Sequence, residues 1–137
     1  MAEGEARDPL PDPRDPDRLL TDFAERVPDV LRAAVVAPDG FLVAASDRTQ
    51  PDQLEQLSAI TAGLVSLAGA VARIFDSGAV TQALVTMPRG TLVIMAIDQG
   101  SSLAVLTTAA ADLDTVAYEM TMLVEEEAGG MFTPPAG

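Results

Sequence analysis

Between Asp52 and Asp76, large apolar residues recur three or four apart: Leu57, Ile60, Leu64, Leu67, Val71 and Ile74. That spacing predicts one long helix with these six on a single stripe, turned toward a hydrophobic surface of the chain's own core. No charged side chain occurs between Glu55 and Arg73. A second stripe holds only small residues, Ala59, Ala62, Gly63, Ser66, Gly69 and Ala70, centred roughly 130° around the helix from the first. Glycine inside a helix costs about 1 kcal/mol relative to alanine. Close approach of a second backbone on that side would recover the cost; the other reading is that the small residues fit a tight spot in the protein's own core. The uncharged run is shorter than the ~20 residues of a membrane span and is diluted by Ser, Thr and Gly, so no direct membrane insertion is expected.

The pattern predicts further elements on both sides. Asp15 and Pro16 suit the start of a helix, Leu19, Leu20, Phe23, Ala24 and Val27 give it one apolar face, and Pro28 stops it. Two apolar runs, Leu31–Ala37 and Phe41–Ser46, flank Pro38-Asp39-Gly40 and read as a hairpin. Thr49 or Asp52 is expected to cap the long helix, and Ser77-Gly78 to end it. Strands are expected at Val80–Met87, Thr91–Ile97 and Leu103–Thr107, joined by Pro88-Arg89-Gly90 and by residues 98–102. The middle run lacks alternation, which predicts a strand covered on both faces. A last helix spans about Ala110 to Glu127, with Leu113, Val116, Met120 and Leu123 inward. The order α-β-β-α-β-β-β-α predicts an α+β sandwich. In it a five-stranded antiparallel sheet carries the long helix on one face and the terminal helices on the other.

A length of 137 residues suits one domain, expected at residues 15–128. The acidic, Pro-rich residues 1–14 and residues 129–137 read as flexible tails. Aromatics make up only 4% of the chain, so the core must be aliphatic. The acidic start has no apolar stretch of a leader type, and a cytoplasmic location is expected. The net charge of −13 opposes nucleic-acid binding, which needs Lys and Arg to displace counterions.

Chemistry is sparse. The chain has no His and no Cys, which removes the commonest general base, thiolate nucleophiles and the usual soft metal ligands. No GxxxxGK[ST] loop is present to cradle a phosphate. Asp39, Asp47 and Asp98 are turn residues, Asp112 and Asp114 cap a helix, and Arg89 sits at a hairpin tip. These assignments leave no catalytic residue, no cofactor and no metal site, and a non-enzymatic protein is expected.

The strand–turn–strand AAVVAPDGFLVAAS, the helix SAITAGLVSLAGAVARIF and the strand triplet LVTMPRGTLVIMAIDQGSSLAVLT together resemble the roadblock/dynein light-chain family. The likeness is to its compact bacterial, MglB-like type associated with small Ras-like GTPases. The resemblance implies a homodimer with two long helices side by side and edge strands joined into one sheet. The implied interface is Ala59, Ala62, Gly63, Ser66, Gly69, Ala70 and Arg73 on the helix, with Val80, Gln82, Leu84 and Thr86 on the edge strand. It implies an adaptor or regulator that docks a small Ras-like GTPase across the paired helices. The strip left outward by the two stripes, Ser58, Thr61, Val65, Ala68 and Ala72, is then the expected docking surface. Two rival readings stand beside it: a PAS- or GAF-like small-molecule sensor, and a structural dimerisation partner in a sensor-kinase complex.

Overall fold

The computed structural model describes residues 15–97 and 100–126, so the expected tails lie outside the described residues. The elements are α1 (Pro16–Arg26), β1 (Val30–Val36), β2 (Leu42–Ala45), α2 (Pro51–Ile74), β3 (Gln82–Met87), β4 (Gly90–Ala96), β5 (Ser102–Thr107) and α3 (Leu113–Glu126). The five strands form one antiparallel sheet in the order β2-β1-β5-β4-β3. The α+β sandwich expected from the element order is what forms.

Local signals account for most boundaries. Asp15 caps α1 by accepting from the Asp17 N–H at 3.3 Å, with Pro16 in the first turn. Asp112 Oδ1 accepts from the N–H groups of Asp114 and Thr115 and so opens α3. The start of α2 departs from expectation. Gln50 occupies the cap without a side-chain bond, and the Thr49 N–H donates instead to Asp47 Oδ1 at 2.8 Å. Pro51, which needs no partner for a missing N–H, starts the helix in place of a capping side chain.

Alternate residues of each strand face opposite layers. Ala33, Val35, Ala44, Val93, Leu103 and Val105 pack beneath α1 and α3 with Leu20, Phe23, Val116 and Met120, which makes the main core. Leu92, Ile94 and Ala104 face α2 in a smaller cluster with Leu57, Leu64 and Val65. β4 is covered on both sides, as its unbroken apolar run requires. Gly90 opens β4 because a Cβ there would stand 2.6 Å from the Thr107 carbonyl oxygen. We expect Gly90→Ala to cost about 1–3 kcal/mol in a urea melt, the usual penalty of forcing an atom into packed structure.

Candidate functional site

The burial of α2 is inverted. Facing the sheet are Leu54, Ser58 and Thr61, all buried, with Val65 packed at the same level. Turned outward are Ile60, Leu67, Val71 and Ile74, 53%, 70%, 55% and 73% exposed, followed by Phe75. The expectation that all six large residues lie on the sheet is therefore corrected: only Leu57 and Leu64 do so. The expected docking strip falls with it. Ser58 and Thr61 are 2% and 0% exposed, Val65 lies under the helix, and Ala68 and Ala72 are half-buried on the sheet side. Close quarters explain the reversal. Ala62 lies against the β1–β2 hairpin at Gly40, and the Ser58 hydroxyl folds back to donate to the Leu54 carbonyl at 2.9 Å, so small residues let the helix sit low on the sheet.

The outward side consequently carries a ridge and a furrow. The ridge is Ile60, Leu67, Val71 and Ile74. The furrow is formed by Ala59, Gly63, Ser66 and Ala70, about 90° farther round. Among the described residues, and apart from its own turn of helix, nothing lies within 4 Å of where a Gly63 Cβ would stand. The helix thus bears the cost of that glycine with no internal contact to justify it. By length and composition α2 would also suit a membrane: its most apolar 18-residue window has a mean hydropathy of 1.7, and 11% of that window is buried within the chain. As placed here it is a crossing helix of a sheet with one uncharged face uncovered among the described residues.

The two sheet edges are treated differently. At β2 the outer edge is closed by α1: Asp17 Oδ1 accepts from the Ala45 N–H at 3.0 Å, and the Thr21 hydroxyl donates to the Ser46 carbonyl at 3.0 Å. Arg48 locks that carboxylate through Nε at 2.5 Å and Nη2 at 3.1 Å. Burial pushes the Asp17 carboxyl up, but the Arg48 hydrogen bond, the Ala45 N–H and the Arg48 charge outweigh it and hold it below the usual carboxylate range. A lowered carboxylate contributes stability that is complete above its unfolded pKa and is lost as pH falls through its folded value. Asp17→Ala should therefore cost about 1 kcal/mol near neutral pH, small because the pair is partly exposed. In chemical melts repeated at falling pH the gap to wild type should close.

β3 has no such cover among the described residues. It pairs on one side only, with β4, and offers six residues of open backbone with Leu84 and Met87 47% and 42% exposed. A long, apolar, uncapped edge is a template for another strand. Of the residues expected at an interface, Ala59, Gly63, Ser66, Arg73, Gln82, Leu84 and Thr86 are exposed, while Ala62, Gly69, Ala70 and Val80 are half-buried. Ile60, Leu67, Val71, Ile74 and Phe75, which lie outside that expected set, are exposed as well. Their signal was present, since one helix carried two apolar stripes with one sheet face to receive them.

Below the C-terminal end of α2 lies an apolar cavity of about 480 Å³, lined by Gly69, Ala72, Ala79, Val80, Ala96 and Ser101 among others, with Arg73 and Asp76 at its wall. The Ser101 hydroxyl is buried and has no hydrogen-bond partner among the described residues.

Comparison with known proteins agrees with this architecture. Residues 16–107 match the Roadblock/LC7 domain model. A Roadblock/LC7 domain from Streptomyces avermitilis is 32% identical with a TM-score of 0.77, covering 82% of this chain and 93% of that one. A second Roadblock/LC7 domain from that organism is 38% identical with a TM-score of 0.67, covering 80% and 95%. MglB of Myxococcus xanthus shares the fold at 20% identity and a TM-score of 0.70, covering 82% and 88%. No curated protein matches the chain. The chain belongs to the Roadblock/LC7 domain family.

Proposed function

We propose that this protein is a homodimeric, non-catalytic regulator or adaptor of a small Ras-like GTPase. The observation that carries the reading is the inverted burial of α2: its largest apolar side chains face outward, mostly along the charge-free stretch between Glu55 and Arg73, beside an edge strand with no cover among the described residues. Burying such a ridge is worth roughly 1.5–3 kcal/mol per large side chain, so a partner surface is the natural destination. A second copy fits, because ridge and furrow on one helix are self-complementary and a two-fold axis brings each against the other. The open β3 edges would join in the same step. At 24 residues α2 is about 36 Å long, whereas five strands span about 19 Å between outer axes, so the helix is longer than its own sheet is wide.

What the helix pair leaves outward is the docking platform, now assigned to ridge residues not used between copies rather than to the sheet-side strip of Ser58, Thr61, Val65, Ala68 and Ala72. The GTPase as partner rests on the family and on the fold shared with MglB. Regulation of that kind needs no catalytic group here, since repositioning the GTPase's own residues suffices. Family membership draws the reading away from a PAS- or GAF-like sensor. The test is a pull-down from the native organism with immobilised protein, followed by turnover measurements on any small GTPase retained. A GTPase that binds in one nucleotide state supports the proposal. Retention of a sensor kinase with no GTPase in either state would replace it with the structural-partner reading.

A further inference from the structure

Resting on the dimer just described, we propose that the cavity under the C-terminal end of α2 is the seat for the β3–β4 hairpin tip of the second copy, with Met87 entering it and Arg89 pairing with Asp76. The register follows from symmetry. A two-fold axis perpendicular to an antiparallel strand pair passes midway between one residue and its own copy, because opposed side chains must share a face. In β3 the central choices are Leu84 and Val85. Centring on Leu84 sets Arg89 of one copy opposite Ala79 of the other, and centring on Val85 sets it opposite Thr81. Either way the tip of one hairpin arrives where the other chain passes from α2 into β3, beside the cavity wall formed by Ala79 and Val80.

The chemistry of the two parts matches. Ala83 and Val85 pack toward α2, so Met87, two residues farther along the strand, lies on that same side. Met87 is 42% exposed in the single chain, and a flexible thioether suits an apolar chamber lined by glycine and alanine. Asp76 stands on the cavity wall and is exposed, and Arg89 is exposed at the turn. Arg73, the other charged residue of that wall, is folded back along its helix, its Nη1 3.7 Å from where a Gly69 Cβ would stand. The orphaned Ser101 hydroxyl lines the chamber and could donate to a carbonyl of the incoming turn. The tip thus closes the cavity, and the ion pair, formed twice per dimer, holds the register.

The test uses the full chain and two readouts. Dissociation constants from dilution series in light scattering should rise about tenfold for Arg89→Glu and for Asp76→Arg, and return to within about threefold of wild type when both are present. The chain has no cysteine, so engineered pairs report cleanly. Ala79→Cys with Arg89→Cys, or Thr81→Cys with Arg89→Cys, should give a covalent dimer under mild oxidation, since within one chain the whole of β3 separates the two positions. A wild-type dimer in which neither pair cross-links and charge reversal is not repaired would overturn this seat and leave the dimer standing. A wild-type monomer would overturn both.

Discussion

Leu67→Asp combined with Val71→Asp is expected to convert the protein into a folded monomer. Both side chains are more than half exposed in the single chain and touch neither core cluster, so carboxylates there meet water and cost the fold little. In a dimer each would face the other helix, and symmetry counts each loss twice. Removing four buried apolar side chains forgoes roughly 6 kcal/mol or more before the cost of burying charge, a loosening of over a thousandfold in dissociation constant. Light scattering gives the mass and circular dichroism confirms that the fold persists. A dimer of unchanged affinity would remove the ridge from the interface. The same variant should also lose any GTPase held across the paired helices. A second check comes from Leu64, on the sheet side, where aspartate should unfold the chain rather than separate it.

Phe23→Ala should do the reverse, lowering stability without touching the assembly surface. Phe23 is fully buried at the centre of the main core, between α1, the sheet and α3. Truncating a buried phenylalanine costs about 3–5 kcal/mol through lost transfer energy and the cavity left behind. Against a total stability of roughly 5–15 kcal/mol that is a large fraction, and the urea midpoint should fall in proportion. Affinity between copies that remain folded should hold, because α1 lies on the opposite face of the sheet from α2. Loss of dimer at full native structure would show that the two layers are coupled.

Most of the fold was legible because each local signal agreed with its neighbours. Asp15-Pro16, Pro38-Asp39-Gly40 and Pro88-Arg89-Gly90 punctuate the chain at positions where the structure turns. The absence of alternation in LVIMAI correctly marked a strand covered on both sides. The cap of α2 was misjudged because Pro51 can start a helix with no side-chain acceptor before it. The larger error concerned the rotation of α2. Periodicity locates stripes, and hydrophobicity ranks them, but neither says which stripe meets the chain's own sheet when a second surface is also waiting to be covered. The closure of the β2 edge by Asp17, Thr21 and Arg48 was equally hidden, since those residues lie up to 31 positions apart.

The amino-acid order by itself determined the succession of elements, the aliphatic core, the absence of His, Cys and Lys and the presence of two apolar stripes on one helix. Those properties depend on neighbours a few residues away, where spacing and turn chemistry act directly. Only the tertiary structure decided that Ser58 and Thr61 go under α2 while Ile60, Leu67, Val71 and Ile74 stay outside, and that, among the described residues, β2 is closed where β3 is open. Those outcomes depend on how closely a helix can approach a particular sheet and on which side chains reach a particular edge, distances that are set when remote segments pack together.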